Sequence, residues 1–249
     1  MISKVKASSL LNNLVGLTDL SASSAVYLGL CSAEPAHDNG AITGEPVGVG
    51  GYGRKTVVSS RSSEFFGQSS NNGIITNKKE IQMPTALEDY PEKITHWFLS
   101  GSLSGDAYMW GIIKDVLREP ELVEGFADAG VPGVHGVAIT SRNLLDLVEG
   151  EKYIVLWDGE EYEVEAKVTT YGEMNGISLG ELEDVPFGVF YSEVTDGLNT
   201  NATFILGSTD LEATEHTFAI YGIGINVKKA TVPTFYANQL KASIDVDLT

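Results

Sequence analysis

The 249-residue sequence has a single cysteine, Cys31, which excludes an intrachain disulfide and any metal site built from thiolates. It is short of positive charge: 16 Lys and Arg stand against 34 Asp and Glu, for a formal net charge of −18. Phosphate backbones would be repelled, so nucleic acid is excluded as a partner, and an anionic membrane surface is disfavoured for the same reason. Long apolar runs are also missing; none approaches the ~20 residues that span a bilayer. The start, Met1-Ile-Ser-Lys-Val-Lys6, carries lysines but no apolar block, so no secretion signal is read there. Histidine is scarce, and His37, His96, His135 and His216 are scattered without metal-ligand spacing. No nucleophile elbow and no P-loop occur. No catalytic residue, metal ligand or cofactor is therefore assigned, and the chain is read as non-enzymatic.

Glycine (27 residues) and β-branched and aromatic runs are plentiful, and 43% hydrophobic with 20% charged residues is ordinary for a folded chain. The charge is unevenly placed. Residues 115–221 carry 22 acidic and 4 basic side chains, and the remainder carries 12 of each. These features predict a mainly β protein with two β-rich modules. The first is an N-terminal β domain with a short N-terminal helix over residues 1–115. After a linker at 116–133, an acidic β-sandwich or barrel-like domain follows at 134–225. Residues 226–249 form a C-terminal segment that packs back or pairs with a neighbour.

Along the chain, Ile2, Val5, Leu10, Leu11 and Leu14 recur at helical spacing. Ala25–Leu30 reads as a strand, followed by a long loop, 33–53, of a length that connections rarely reach without a role. Ile94–Leu99 and Ala107–Ile113 are expected to pair antiparallel, placing Trp97 and Trp110 as large core or interface residues. Arg118-Glu-Pro120 marks a boundary, and Glu124–Gly133 is turn-rich. Lys152–Trp157 and Glu161–Val168 flank Asp158-Gly159, the dipeptide of a type I′ hairpin turn. In the second of these runs Tyr162, Val164, Ala166 and Val168 alternate with Glu161, Glu163, Glu165 and Lys167, which predicts one buried and one wet face. Shorter β-type runs follow to Ile225, and Ser243–Leu248 is a possible closing strand or an arm for another subunit.

Gly48-Val-Gly-Gly-Tyr-Gly53 spells G-x-G-x-x-G, but a dinucleotide site needs a strand before it and a helix after it. Here a Pro/Gly loop precedes, and Arg54–Val58 is β-prone, so the stretch is a structural turn. Glu160, Glu161 and Glu163 are a solvated strand face rather than a glycosidase pair. Asp245 and Asp247 share one face of the last run and are weighed there against a calcium site. Cys31, in an apolar run, is a buried and inert thiol. Asn201-Ala-Thr203 matches a glycosylation sequon by pattern alone.

Several segments, taken in order, resemble a family of bacteriophage virion proteins described as tail-fibre or minor structural proteins. The segments are Val26-Tyr-Leu-Gly-Leu30, Ser32-Ala-Glu-Pro35, Gly44-Glu-Pro46, Gly50-Gly-Tyr-Gly-Arg54, Ile81-Gln-Met-Pro-Thr-Ala86 and Ile94-Thr-His-Trp97. The resemblance covers residues 5–115. It departs where the family has Tyr-Ala-Arg and a Gly-Gly; this chain has Tyr52-Gly-Arg54 and Gly105-Asp106. Residues 145–225 are similar to small β domains appended to other phage structural proteins. The resemblance implies a virion structural protein, assembled in the host cytoplasm, on the outside of the particle: a capsid decoration, head fibre or tail-associated fibre. Its partners would be identical subunits, commonly in a trimer, and a major protein of the capsid or tail. Tyr52, Arg54, Trp97 and Trp110 are the expected interface or core anchors, with Arg54 serving assembly more than folding. The rival reading is a receptor- or glycan-binding module, for which Trp157 and Tyr162 would form an exposed aromatic platform.

Overall fold

The structure is a computed structural model that describes residues 2–4, 6–8, 25–59, 65–66, 74–128, 133–142, 144–196, 199–236 and 239–243. The chain divides into two compact units: Met1–Lys114 together with Gly224–Thr249, and Asp115–Ile223. The second is therefore an insertion into the first. It contains all of the acidic excess, 22 acidic against 4 basic residues, whereas the first unit is neutral with 12 of each.

The first unit is built on strands β1 (Ala25–Cys31), β2 (Lys55–Ser59), β3 (Ile74–Thr76), β4 (Ile81–Gln82), β5 (His96–Ser100) and β6 (Ala107–Ile112). Four of them form an antiparallel sheet in the order β2-β1-β5-β6. The expected pairing of the Ile94 and Ala107 runs is present, with Phe98 opposite Trp110 and Trp97 opposite Gly111. In β1 and β5 consecutive apolar residues are buried because both faces of the sheet are covered. Leu28, Leu30, Trp97 and Leu99 face the main core of this unit. Cys31, Phe98, Ala107 and Trp110 form a second, smaller cluster on the other face, and Ile42 of the long loop packs on it. The outer edge of β6 is occupied as well. Ile2 bridges Met109, Ser3 N donates to the Tyr108 carbonyl, and Ala107 N donates to the Gly40 carbonyl. Such cover keeps an edge from pairing with stray strands.

The N-terminal helix is represented by helical backbone at Lys4 and residues 6–8, and the rest of that expectation lies outside the described residues. After the insertion the chain returns to the first unit. Ile225 and Ile94 exchange backbone hydrogen bonds of 2.8 and 2.9 Å, and β16 (Thr234–Phe235) and β17 (Lys241–Ser243) pair with β4 and β3. Val227, Phe235 and Leu240 complete the main core. Asn77, fully buried, holds the return in place: Nδ2 donates to the Tyr236 carbonyl at 2.7 Å and Oδ1 accepts Leu240 N at 2.9 Å. Asp245 and Asp247 lie outside the described residues.

The second unit comprises β7 (Lys114–Glu124, whose first residue belongs to the first unit), β8 (Ala127–Asp128), β9 (His135–Ser141), β10 (Lys152–Trp157), β11 (Glu160–Tyr171), β12 (Met174–Leu179), β13 (Phe187–Asp196), β14 (Asn199–Ser208) and β15 (Glu215–Ile223). They form one sheet in the order β7-β15-β10-β11-β12-β13-β14-β9-β8. Its two end strands are separated in sequence only by Gly125 and Phe126, so the sheet curls until both edges lie on one bent segment. This is the barrel-like arrangement expected for the acidic domain, and it leaves few open edges. Trp157, Phe187, Tyr191, Phe204, Phe218 and Ile220 are among the residues filling its core.

Three expectations for this unit are corrected. The stretch 116–133 is not a linker along its whole length, since most of β7 and all of β8 fall within it. Pro120 interrupts nothing there because β7 ends the sheet order, and an edge strand tolerates a residue without an N–H. Val168, expected on the buried face with Tyr162, Val164 and Ala166, is 60% exposed because the β11–β12 hairpin runs on past the core. The Asp158-Gly159 turn, in contrast, has the expected type I′ geometry, with φ of 50° and 88° and Trp157 opposite Glu160.

Candidate functional site

The long loop between β1 and β2 is organised by one buried charge pair. Glu45 and Arg54 side chains are 10% and 5% exposed, and Arg54 meets the carboxylate in a two-pronged contact, Nε to Oε1 and Nη2 to Oε2, both 2.7 Å. The remaining nitrogen, Nη1, donates to Ser100 Oγ (2.8 Å) and to the carbonyls of Ser102 (2.9 Å) and Gly105 (2.7 Å). The guanidinium thus ties the glycine turn to the β5–β6 turn, and it lies over the Phe98 ring at 4.8 Å. Desolvation pulls the guanidinium pKa down, but the hydrogen bonds and charge of Glu45 outweigh it and hold the group above its ordinary value. A planar fork against a carboxylate is the arrangement in which arginine outperforms lysine.

Tyr52 completes the cluster. Its hydroxyl donates to Glu45 Oε1 at 2.7 Å and accepts Leu30 N at 3.1 Å. The β1–β2 register ends at Leu28 opposite Lys55, so the Tyr52 hydroxyl serves Leu30 where the strand partner has departed. Burial, with Glu45 nearby, raises the hydroxyl well above the usual tyrosine range. Arg54 and Tyr52 are therefore internal fasteners of the first unit. Arg54, expected as an interface or core anchor, has its side chain satisfied and buried within its own chain.

Trp97 and Trp110 are both fully buried in the first unit, which resolves the core-or-interface alternative in favour of the core for this chain. Trp97 lies against Gly111, where a β-carbon would sit 2.8 Å from its Nε1. Trp110 Nε1 donates to Glu34 at 3.1 Å, and His37 meets its ring edge-on at 5.6 Å. Trp157 is 3% exposed, stacked between Phe187 (5.2 Å) and His216 (4.7 Å) in the barrel core. It offers no exposed platform. Tyr162 is half-buried against Phe187, with its hydroxyl on Glu160 at 2.8 Å. Cys31 is fully buried, and desolvation, helped by Glu45, pushes its thiol up to about 12, which makes it inert at neutral pH.

What the cluster holds out to solvent was not read from the sequence. Val47, Leu87 and Leu103 are 73%, 61% and 64% exposed. Val47 sits two residues after Glu45, Leu103 lies in the turn gripped by Arg54, and Leu87 N donates to the Gly50 carbonyl at 2.9 Å. Three loops, each with an exposed aliphatic side chain, are thus fastened to one another through Glu45, Arg54 and Gly50. Glu45 itself was missed as a functional residue. Its signal was a lone acid in a Gly/Pro-rich stretch that also ends in a lone arginine.

These features belong to the part of the chain that has a known counterpart. Residues 1–114 match the family described as Podophage GP4 fiber I protein gp80. Residues 1–114 are thus similar to a phage fibre protein, consistent with a structural fibre role. The match stops at Lys114, the residue at which the first segment of that unit ends. No curated protein matches the chain.

Proposed function

We propose that this chain is a non-enzymatic structural component of a phage virion, an accessory protein on the outside of the particle that acts through protein–protein assembly. The observation that carries the reading is the match of residues 1–114 to a podophage fibre family. The first unit is the docking and oligomerisation part, which binds identical chains and a major protein of the capsid or tail in a decorating or tail-associated fibre. Its contact face is the loop group presenting Val47, Leu87 and Leu103, since exposed aliphatic side chains on restrained loops lose little conformational freedom when buried.

Replacing all three with aspartate (V47D/L87D/L103D) leaves the fold unchanged, because each side chain already faces water, and weakens assembly by tenfold or more. Circular dichroism and thermal melting verify the fold, and light scattering after size exclusion, with and without the partner shell or tail protein, measures assembly. An unchanged assembly constant contradicts this assignment of the face.

A further inference from the structure

Four observations converge on the junction between the two units. Each unit has its own buried core. The two ends of the first unit that flank the insertion meet, with Gly224 N donating to the Ile113 carbonyl at 2.8 Å. All of the net charge resides in the insertion. The matched segment ends at Lys114 although the core of that unit needs Val227, Phe235 and Leu240 from beyond the insertion.

We propose that the protein is a neutral platform, residues 1–114 closed by 224–249, into which residues 115–223 are inserted as a separable acidic passenger. The platform folds and assembles without the barrel, but not without its own C-terminal return. A domain inserted where two chain ends already lie side by side imposes little loop-closure cost on its host. The hydrogen bond from Gly224 to Ile113 has the form of the i to i+3 bond of a β-turn once one residue is placed between Lys114 and Gly224. The folding part of the proposal stands apart from the assembly reading; only the statement that the platform assembles rests on it.

Charge gives a handle on the full chain. Self-repulsion in a unit of net charge −18 is relieved by salt, as the screening length falls from ~30 Å at 0.01 M to ~3 Å at 1 M. Calorimetry of the full chain in 10 mM and in 500 mM NaCl is expected to show two transitions, of which one rises by several degrees and the other holds still. Two shortened chains, with residues 115–223 replaced by Gly or by Gly-Ser-Gly, are expected to melt cooperatively near the salt-insensitive transition. A third, ending at Lys114, is expected to be unfolded. Light scattering then compares copy number with that of the full chain. A single transition that shifts as a whole, or two shortened chains that are both unfolded, overturns the proposal. Folded shortened chains that stay monomeric alongside a monomeric full chain uphold the insertion and count against the assembly reading alone.

Discussion

Arg54→Ala lowers the stability of the first unit by about 3–5 kcal/mol, the range for removing one partner of a buried ion pair. Three losses combine. Glu45, 10% exposed, keeps a charge with no counter-ion. The carbonyls of Ser102 and Gly105 lose a charged donor, and the Phe98 ring loses the cation above it. Against a total of roughly 5–15 kcal/mol for a typical domain, this is a large share. Lysine restores the charge without the planar fork, so Arg54→Lys recovers only part of the loss. The double variant E45A/R54M is less destabilised than Arg54→Ala, because no unpaired charge remains. Urea unfolding of the four proteins checks this. A loss under about 1 kcal/mol for Arg54→Ala, as is common for exposed pairs, would show that the pair is not buried in solution.

Gly40→Ala is the second large effect. Gly40 has φ of +81°, where a β-carbon is strained, and that β-carbon would lie 1.6 Å from the Ala107 carbonyl oxygen. The obstacle is backbone, so no rotamer change relieves it. Gly40 is also fixed from both sides: its N–H donates to the Ala36 carbonyl and its carbonyl accepts Ala107 N, each at 2.8 Å. Substitution must therefore lift the long loop off the start of β6 and uncover the face holding Phe98 and Trp110. The expected loss is at least about 2–3 kcal/mol from overpacking and backbone strain combined. Gly53→Ala, with nothing within 4 Å of the added carbon and φ outside the left-handed region, is the control and changes little. Thermal melting of both variants reads the difference, and a Gly40→Ala protein as stable as the parent would mean that the loop does not dock this way.

The sequence made local pairing legible and left long-range pairing obscure. Asp158-Gly159 announced its hairpin because a two-residue type I′ turn is specified by those two residues alone. The Ile94 and Ala107 runs announced each other because a short turn leaves an antiparallel partner close at hand. Arg54 was noticed as a motif residue, yet its role depends on Glu45 and on the carbonyls of Ser102 and Gly105, contacts that no local pattern encodes. Trp157 looked like a turn-flanking platform, but the Phe187 and His216 rings that enclose it come from strands that reach it only through the sheet order. Strand β7 was hidden by its composition, Lys-Asp-Val-Leu-Arg-Glu-Pro-Glu-Leu-Val-Glu. It is rich in charge because an edge strand of a barrel-like sheet shows much of its length to water. Arg118, which sits over Phe204 and Phe218 at 4.3 and 5.0 Å, buries a cation that composition alone assigns to the surface.

The role proposed for this chain is that of an external structural part of a phage particle. It is tested most directly by purifying the virions of the phage that encodes it and probing them with gold-labelled antibody raised against residues 115–223. The account predicts that the protein is present in the purified virions and that intact particles bear gold on their outer surface. Virions that contain none of the protein, or that bind gold only after disruption, would contradict it.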